Sequence, residues 1–184
     1  LPTKHQKFKF SIDPRYSREE KELIAQDVID YIVKRTKQRK DKNGDEMAGY
    51  SKAYAKSPEA QAAGKKVGQA ANLTLSGDLL YALGEYKKIG KSYIEIGYEK
   101  GSEENGKADG NIRGTYGTNI PNPKKARDFL GINEKELNSI LADYPIDEDE
   151  PEIVSAVAQQ ITDKTAKTIE ANLLKAVIEA YGLE

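Results

Sequence analysis

Cysteine and tryptophan are absent from this 184-residue sequence, and methionine and histidine occur once each. Without cysteine there is no disulfide, no iron–sulfur cluster, no thiolate zinc site and no cysteine nucleophile. A lone His5 near the N-terminus puts most imidazole-based metal and triad chemistry out of reach. No apolar run approaches the roughly 20 residues that span a bilayer, and no signal-peptide pattern is visible, so cytoplasmic synthesis is expected. An excess of one charge is also missing. Lys and Arg number 29 against 30 Asp and Glu, a formal net charge of −1, which gives no global electrostatic case for nucleic acid or an anionic membrane.

Charge itself is plentiful, at 32% of residues against 38% hydrophobic. With only three Phe, a modest core of Leu, Ile, Val, Ala and the eleven Tyr is expected. A chain this polar, carrying long amphipathic helices, is expected to finish burying its apolar faces against copies of itself. Its length suits one domain with an appendage.

Local order is written most strongly in residues 72–98, NLTLSGDLLYALGEYKKIGKSYIEIGY. Ser76-Gly77-Asp78 can cap a short helix carrying Leu79, Leu80 and Leu83, and Gly84 is suited to ending it. Two strands are predicted, over about 85–89 and 92–98. In the second, Ile94, Ile96 and Tyr98 alternate with Tyr93, Glu95 and Gly97, the period of a half-buried strand. Upstream, Phe8, Phe10 and Ile12 alternate with Lys7, Lys9 and Ser11, predicting another strand. Ser17 stands three residues before Glu20, a capping box that opens a helix through about Lys40. Ile24, Val28, Tyr31 and Ile32 form its apolar stripe.

The end of that helix is basic, with Lys34, Arg35, Lys37, Arg39, Lys40 and then Lys42. These cations offer a phosphate-contacting patch. The plainer reading is that they complement the negative end of the helix dipole, and nothing aromatic interleaves them, as base stacking requires. Residues 41–46 resemble a calcium loop, but Gly44 stands fourth instead of sixth and Lys52 occupies the twelfth position, so calcium is not expected. Tyr50 and Tyr54 lie at helical spacing and read as packing residues. Residues 57–71 read as a mobile loop with a helical turn or two.

Residues 99–117 are polar, with glycines at 101, 106, 110, 114 and 117, and read as a flexible excursion of the hairpin. A phosphate loop is not present: Gly90-Lys91-Ser92 matches only the end of that motif, Glu85 stands where its first glycine belongs, and a strand follows instead of a helix. Asn133 is predicted to cap a helix over 134–143 with Leu137, Ile140 and Leu141 buried. Asp147, Glu148, Asp149 and Glu150 read as a solvated linker, and residues 151–181 as a long helix started by Pro151 that either packs at its two ends against different neighbours or breaks around residues 162–168.

In order along the chain come Arg35-Thr36, the D-x-N-G turn, Tyr50-Ser51-x-x-Tyr54-Ala55 and Leu73-Thr74-Leu75-Ser76-Gly77-Asp78-Leu79-Leu80. Ile94-x-Ile96-Gly97, Ile120-Pro121 and Arg127-Asp128-Phe129-Leu130-Gly131 follow. This order resembles the tail-completion and neck proteins of tailed bacteriophages, the virion-morphogenesis group, over roughly residues 20–145. The resemblance implies an α+β subunit that forms a homo-oligomeric ring, commonly a hexamer, at the head–tail junction. It carries over no catalytic residues, metal or cofactor.

The expectation is therefore an α+β protein, a small antiparallel sheet flanked by long helices, with a domain at 1–145 and a helical extension at 146–184. The expected role is a structural virion protein of the neck, assembled in the host cytoplasm, that links the connector or adaptor to a tail terminator or tail tube around passing genomic DNA. Loops over 55–71 and 99–117 are expected to order on partner rings. Tyr50, Tyr54, Leu79, Leu80, Phe129 and Leu130 are the expected fold and interface residues. The rivals are a nucleic-acid module using Lys34, Arg35, Lys37, Arg39 and Lys40, and an enzyme holding Mg²⁺ between Asp41, Asp45 and the carboxylates at 147–150.

Overall fold

A computed structural model describes residues 3–74, 76–115 and 120–146. The chain divides after Pro145, and the extension at 146–184, with its predicted long helix and the acidic run at 147–150, lies outside the described residues apart from Ile146.

The protein is α+β. Strands β1 (Lys7–Ser11), β2 (Tyr86–Ile89) and β3 (Tyr93–Gly97) form an antiparallel sheet in the order β1-β3-β2. Phe8 pairs with Ile96 and Phe10 with Ile94, while Lys87 faces Ile96 and Ile89 faces Ile94 from the other side. The strand period thus gathers Phe10, Ile12, Ile94, Ile96 and Tyr98 on one buried face.

Helix α1 (Arg18–Lys37) lies against that face. Its capping box forms as expected: Ser17 Oγ accepts from the Glu20 amide at 3.1 Å, and the Glu20 carboxylate accepts from the Ser17 amide at 2.7 Å. These bonds hold the Glu20 carboxyl below its ordinary range. Ile24, Val28 and Ile32 are fully buried, whereas Tyr31 is only half-buried. Lys21 is also buried. Its ammonium donates to the Lys91 carbonyl at 3.0 Å and tethers the β2–β3 turn to the start of the helix. The helix stops three residues short of the predicted Lys40, because Gln38 caps it and Arg39 turns left-handed at φ 69°.

Two short helices follow, α2 (Lys52–Ala55) and α3 (Pro58–Ala62), each capped by a serine, Ser51 and Ser57. The predicted helix before β2 is α4 (Asp78–Tyr81). Neither Ser76 nor Asp78 caps it. Gly77, left-handed at φ 87°, occupies the cap position with no side-chain bond. Gly84 makes the turn into β2 at φ 100°, where an added Cβ would meet Ile29 Cδ1 at 2.6 Å.

The segment expected to be a flexible excursion is a helix instead, α5 (Glu103–Arg113). Ser102 caps it, Glu103 and Glu104 complement its positive end, Arg113 its negative end, and Gly114 closes it at φ 65°. Its anchorage is polar. Asn105 accepts from the Gln6 amide at 2.7 Å and donates to the Lys4 carbonyl at 3.0 Å, so the helix is stitched to the entry of β1. Asp109 accepts from Gln6 at 2.8 Å and pairs with Arg113 at 3.0 Å.

After a 3-10 turn at Pro123–Lys125, helix α6 (Glu134–Leu141) packs on α1. Asn133 caps it as predicted, but the buried positions are Glu136 and Ile140, with Leu137 and Leu141 only half-buried.

Candidate functional site

The site is built around the Tyr50–Tyr54 pair. Tyr50 is not helical. It sits in extended chain beside residues 68–70, donating its amide to the Gln69 carbonyl at 2.9 Å and accepting from Gly68 at 3.0 Å. The approach is close: a Cβ on Gly49 would stand 2.6 Å from the Gly68 carbonyl oxygen. The first turn of α2 returns Tyr54 over Tyr50, and the rings stack with centroids 5.0 Å apart and planes 22° from parallel. Together with Ala55, Ala71 and Leu73 they make a small second core.

Polar bonds fix this core from below. The Tyr50 hydroxyl donates to Asn72 Oδ1 at 2.9 Å and accepts from the Asn72 amide at 3.1 Å. Lys65 donates to the same Asn72 oxygen at 2.8 Å and to Thr74 Oγ1 at 3.0 Å. From above, Arg127 ties three segments. Its guanidinium donates to the carbonyls of Ala48 and Gly49, each at 3.1 Å, and to Asn111 Oδ1 at 3.0 Å, and lies 5.5 Å from the Tyr50 ring centre.

These walls leave an open cleft of about 590 Å³. Tyr50, Tyr54, Leu73 and Leu79 supply most of its apolar lining, and Lys107, Lys125 and Arg127 its cations. Among the described residues no carboxylate belongs to the lining. Residues 127–130 therefore have two roles. Arg127 faces the cleft, while Phe129, fully buried, and Leu130 plug the core. All six expected fold residues are buried except Tyr54, which is half-buried.

The cations grouped by sequence are separated by the fold. Arg35 is not available to a phosphate: its side chain is 5% exposed and pairs with Glu136 at 2.6 Å. It also donates to the carbonyls of Phe129 at 2.9 Å and Gly131 at 2.8 Å. A helix of 3.6 residues per turn carries Arg35 onto the same side as Ile24, Val28 and Ile32, so it is buried with them instead of facing solvent with Lys34 and Lys37. Lys34, Lys37 and Lys40 are exposed and Arg39 is half-buried. Lys34 borders a shallow groove with Asp27, Asp30 and Asp143, and Lys42 pairs with Asp128 at 2.7 Å.

The Asp41 carboxylate accepts from the amides of Asn43 at 2.8 Å and Asp45 at 2.9 Å, the bonds of a turn. Among the described residues no group of three or more His, Asp or Glu side chains is arranged to hold a metal, and no helix is long and apolar enough to cross a membrane. Sequence reasoning missed Asn111, Lys107 and Lys125 as lining residues because it missed α5, which presents the first two. The signal was there in Ser102 with two following glutamates and the closing Gly114.

No protein-family model matches the chain, and comparison with curated proteins and with solved structures gives no match either.

Proposed function

We propose that the protein is a structural subunit of a tailed-bacteriophage neck, a tail-completion or head–tail joining protein that closes into a homo-oligomeric ring, with the hexamer the family favours, between connector and tail. The observation that carries this reading is the open cleft. Three of the segments on which the resemblance rests contribute to its walls: Tyr50 and Tyr54, the run from Leu73 to Leu79, and Arg127. A sizeable apolar cleft on so polar a chain is what an assembly surface needs. Its role would be geometric, not catalytic, with the ring surrounding the passing genome and meeting the connector on one side and a tail terminator or tail tube on the other.

The burial of Arg35 weakens the rival reading as a nucleic-acid module. Light scattering behind a sizing column, followed by electron microscopy of the same fractions, tests the proposal. Closed rings of uniform copy number support it. A chain that remains monomeric across the concentration range, or that binds duplex with a steep salt dependence while monomeric, overturns it.

A further inference from the structure

We infer that the outer face of α1, centred on Leu23, seats in the Tyr50–Tyr54 cleft of a second copy of this chain, joining copies head to tail. The inference rests on the ring reading and supplies the contact that reading leaves unspecified.

Leu23 is 58% exposed in the middle of α1, although Ile24 beside it in sequence is fully buried. Helical spacing surrounds it with exposed polar groups: Glu19 one turn before, Gln26 and Asp27 one turn after, and Asp30 two turns after. A large aliphatic group standing in water among carboxylates does little for its own chain. It has the form of a knob with an acidic collar.

The cleft has the complementary form. Its lining joins the apolar and aromatic side chains of Tyr50, Tyr54, Leu73 and Leu79 to the cations Lys107, Lys125 and Arg127, and among the described residues none that lines it is acidic. Lys107 is already offset by Glu103 at 2.8 Å and Glu104 at 3.5 Å, and Arg127 is engaged in the bonds given above. Lys125, exposed on the 3-10 turn, is the cation best placed to meet an incoming carboxylate. At about 590 Å³ the cleft falls within the range of roughly 300–1,000 Å³ that takes up ligands larger than one side chain, so Leu23 and part of its collar fit together.

The two patches stand on different elements. Helix α1 packs on β2, β3 and α6, whereas the cleft is made by α2, α4, α5 and the 3-10 turn. Joining one patch to the other therefore gives a heterologous contact. Only the two end copies keep an unused half, and the series ends where its rotation closes it into a ring.

The absence of cysteine from the sequence allows a clean test on the full chain. Leu23 and Ala53, which is exposed on α2 at the cleft, are replaced together by cysteine and the protein is oxidised at low concentration. A ladder of covalent multimers on a non-reducing gel is expected, with neither single variant giving more than trace dimer. In parallel, Leu23→Asp and Ala53→Arg should each reduce the mass measured by light scattering to that of the monomer while keeping the wild-type circular dichroism spectrum and a cooperative thermal transition. Mixing these two variants should restore dimers and nothing larger, because each retains one intact half of the contact. Rings that form unchanged in both variants, with no ladder, would overturn this contact and leave the ring reading standing. A wild-type chain that never associates would overturn both.

Discussion

One carboxylate oxygen of Glu136 serves two partners: Arg35 Nη1 at 2.6 Å and the Asn133 amide at 3.2 Å. The same side chain thus closes the capping box of α6 and neutralises a cation buried at the end of α1. A helix start and a core ion pair are fused in a single group, 101 residues from its cationic partner.

Glu136→Ala leaves Arg35 buried and unpaired and should cost about 3–5 kcal/mol. Glu136→Gln keeps the capping bond and removes only the charge, so it should cost less. Urea unfolding followed by circular dichroism separates the two. Equal losses would mean that the charge carries the whole effect and the retained capping bond none of it.

Phe129 is fully buried, and its carbonyl is held by Arg35. Phe129→Ala should cost about 3–5 kcal/mol from lost burial and the cavity left behind. An unchanged denaturation midpoint would contradict the placement of this segment.

Two glycines should respond in opposite directions to alanine. At Gly49 the new methyl meets backbone, 2.6 Å from the Gly68 oxygen, so the Tyr50 strand must move away. At Gly106, inside α5, nothing lies within 4 Å of it. Gly49→Ala should lower the melting temperature, while Gly106→Ala should stabilise by about 0.5–1 kcal/mol through helix propensity. Melting curves of the two variants against wild type decide this.

On the outer face of the sheet, Lys7 at 2.8 Å and the Tyr86 hydroxyl at 2.9 Å both donate to Glu95. These bonds hold the Glu95 carboxyl below its ordinary range, and the same contacts, Glu95 first and then Tyr86, raise the Lys7 ammonium. The depressed carboxyl contributes stability that is complete above its unfolded value of about 4.3 and is lost as pH falls through the folded value. The raised ammonium contributes below about 10.4 and is lost as pH rises beyond that. Between about pH 6 and 3, the melting temperature of wild type should therefore fall more steeply than that of Glu95→Gln. Parallel curves would remove Glu95 from the account.

Elements with an apolar period were legible before folding. The stripe through Ile24, Val28 and Ile32, and the alternation of Ile94 and Ile96, gave α1 and β3 nearly to their ends. Caps were legible where a side chain does the capping, at Ser17 and Asn133, but not at Gly77, where a left-handed backbone does it. Helix α5 was hidden because Asn105, Asp109 and Asn111 bury polar groups, which no hydrophobic period records. The cleft was half legible. Tyr50 and Tyr54 drew notice by spacing, but their stacking arises from extended chain followed by a helical turn, and the bonds of Arg127 span distances along the chain that no local pattern reports.

The tether between Gln6 and Asn105 carries a consequence for biosynthesis. Strand β1 emerges first, yet its partner β3 and the residue that pins its entry come about 90–100 positions later. At translation speeds of about 5–20 residues per second, Phe8 and Phe10 wait roughly 5–20 s for cover. Over that interval β1 is an unpaired segment with two uncovered phenylalanines and a natural target for holdase chaperones. Ribosome-bound intermediates truncated before position 93 should precipitate or be captured, and the completed, released chain should not.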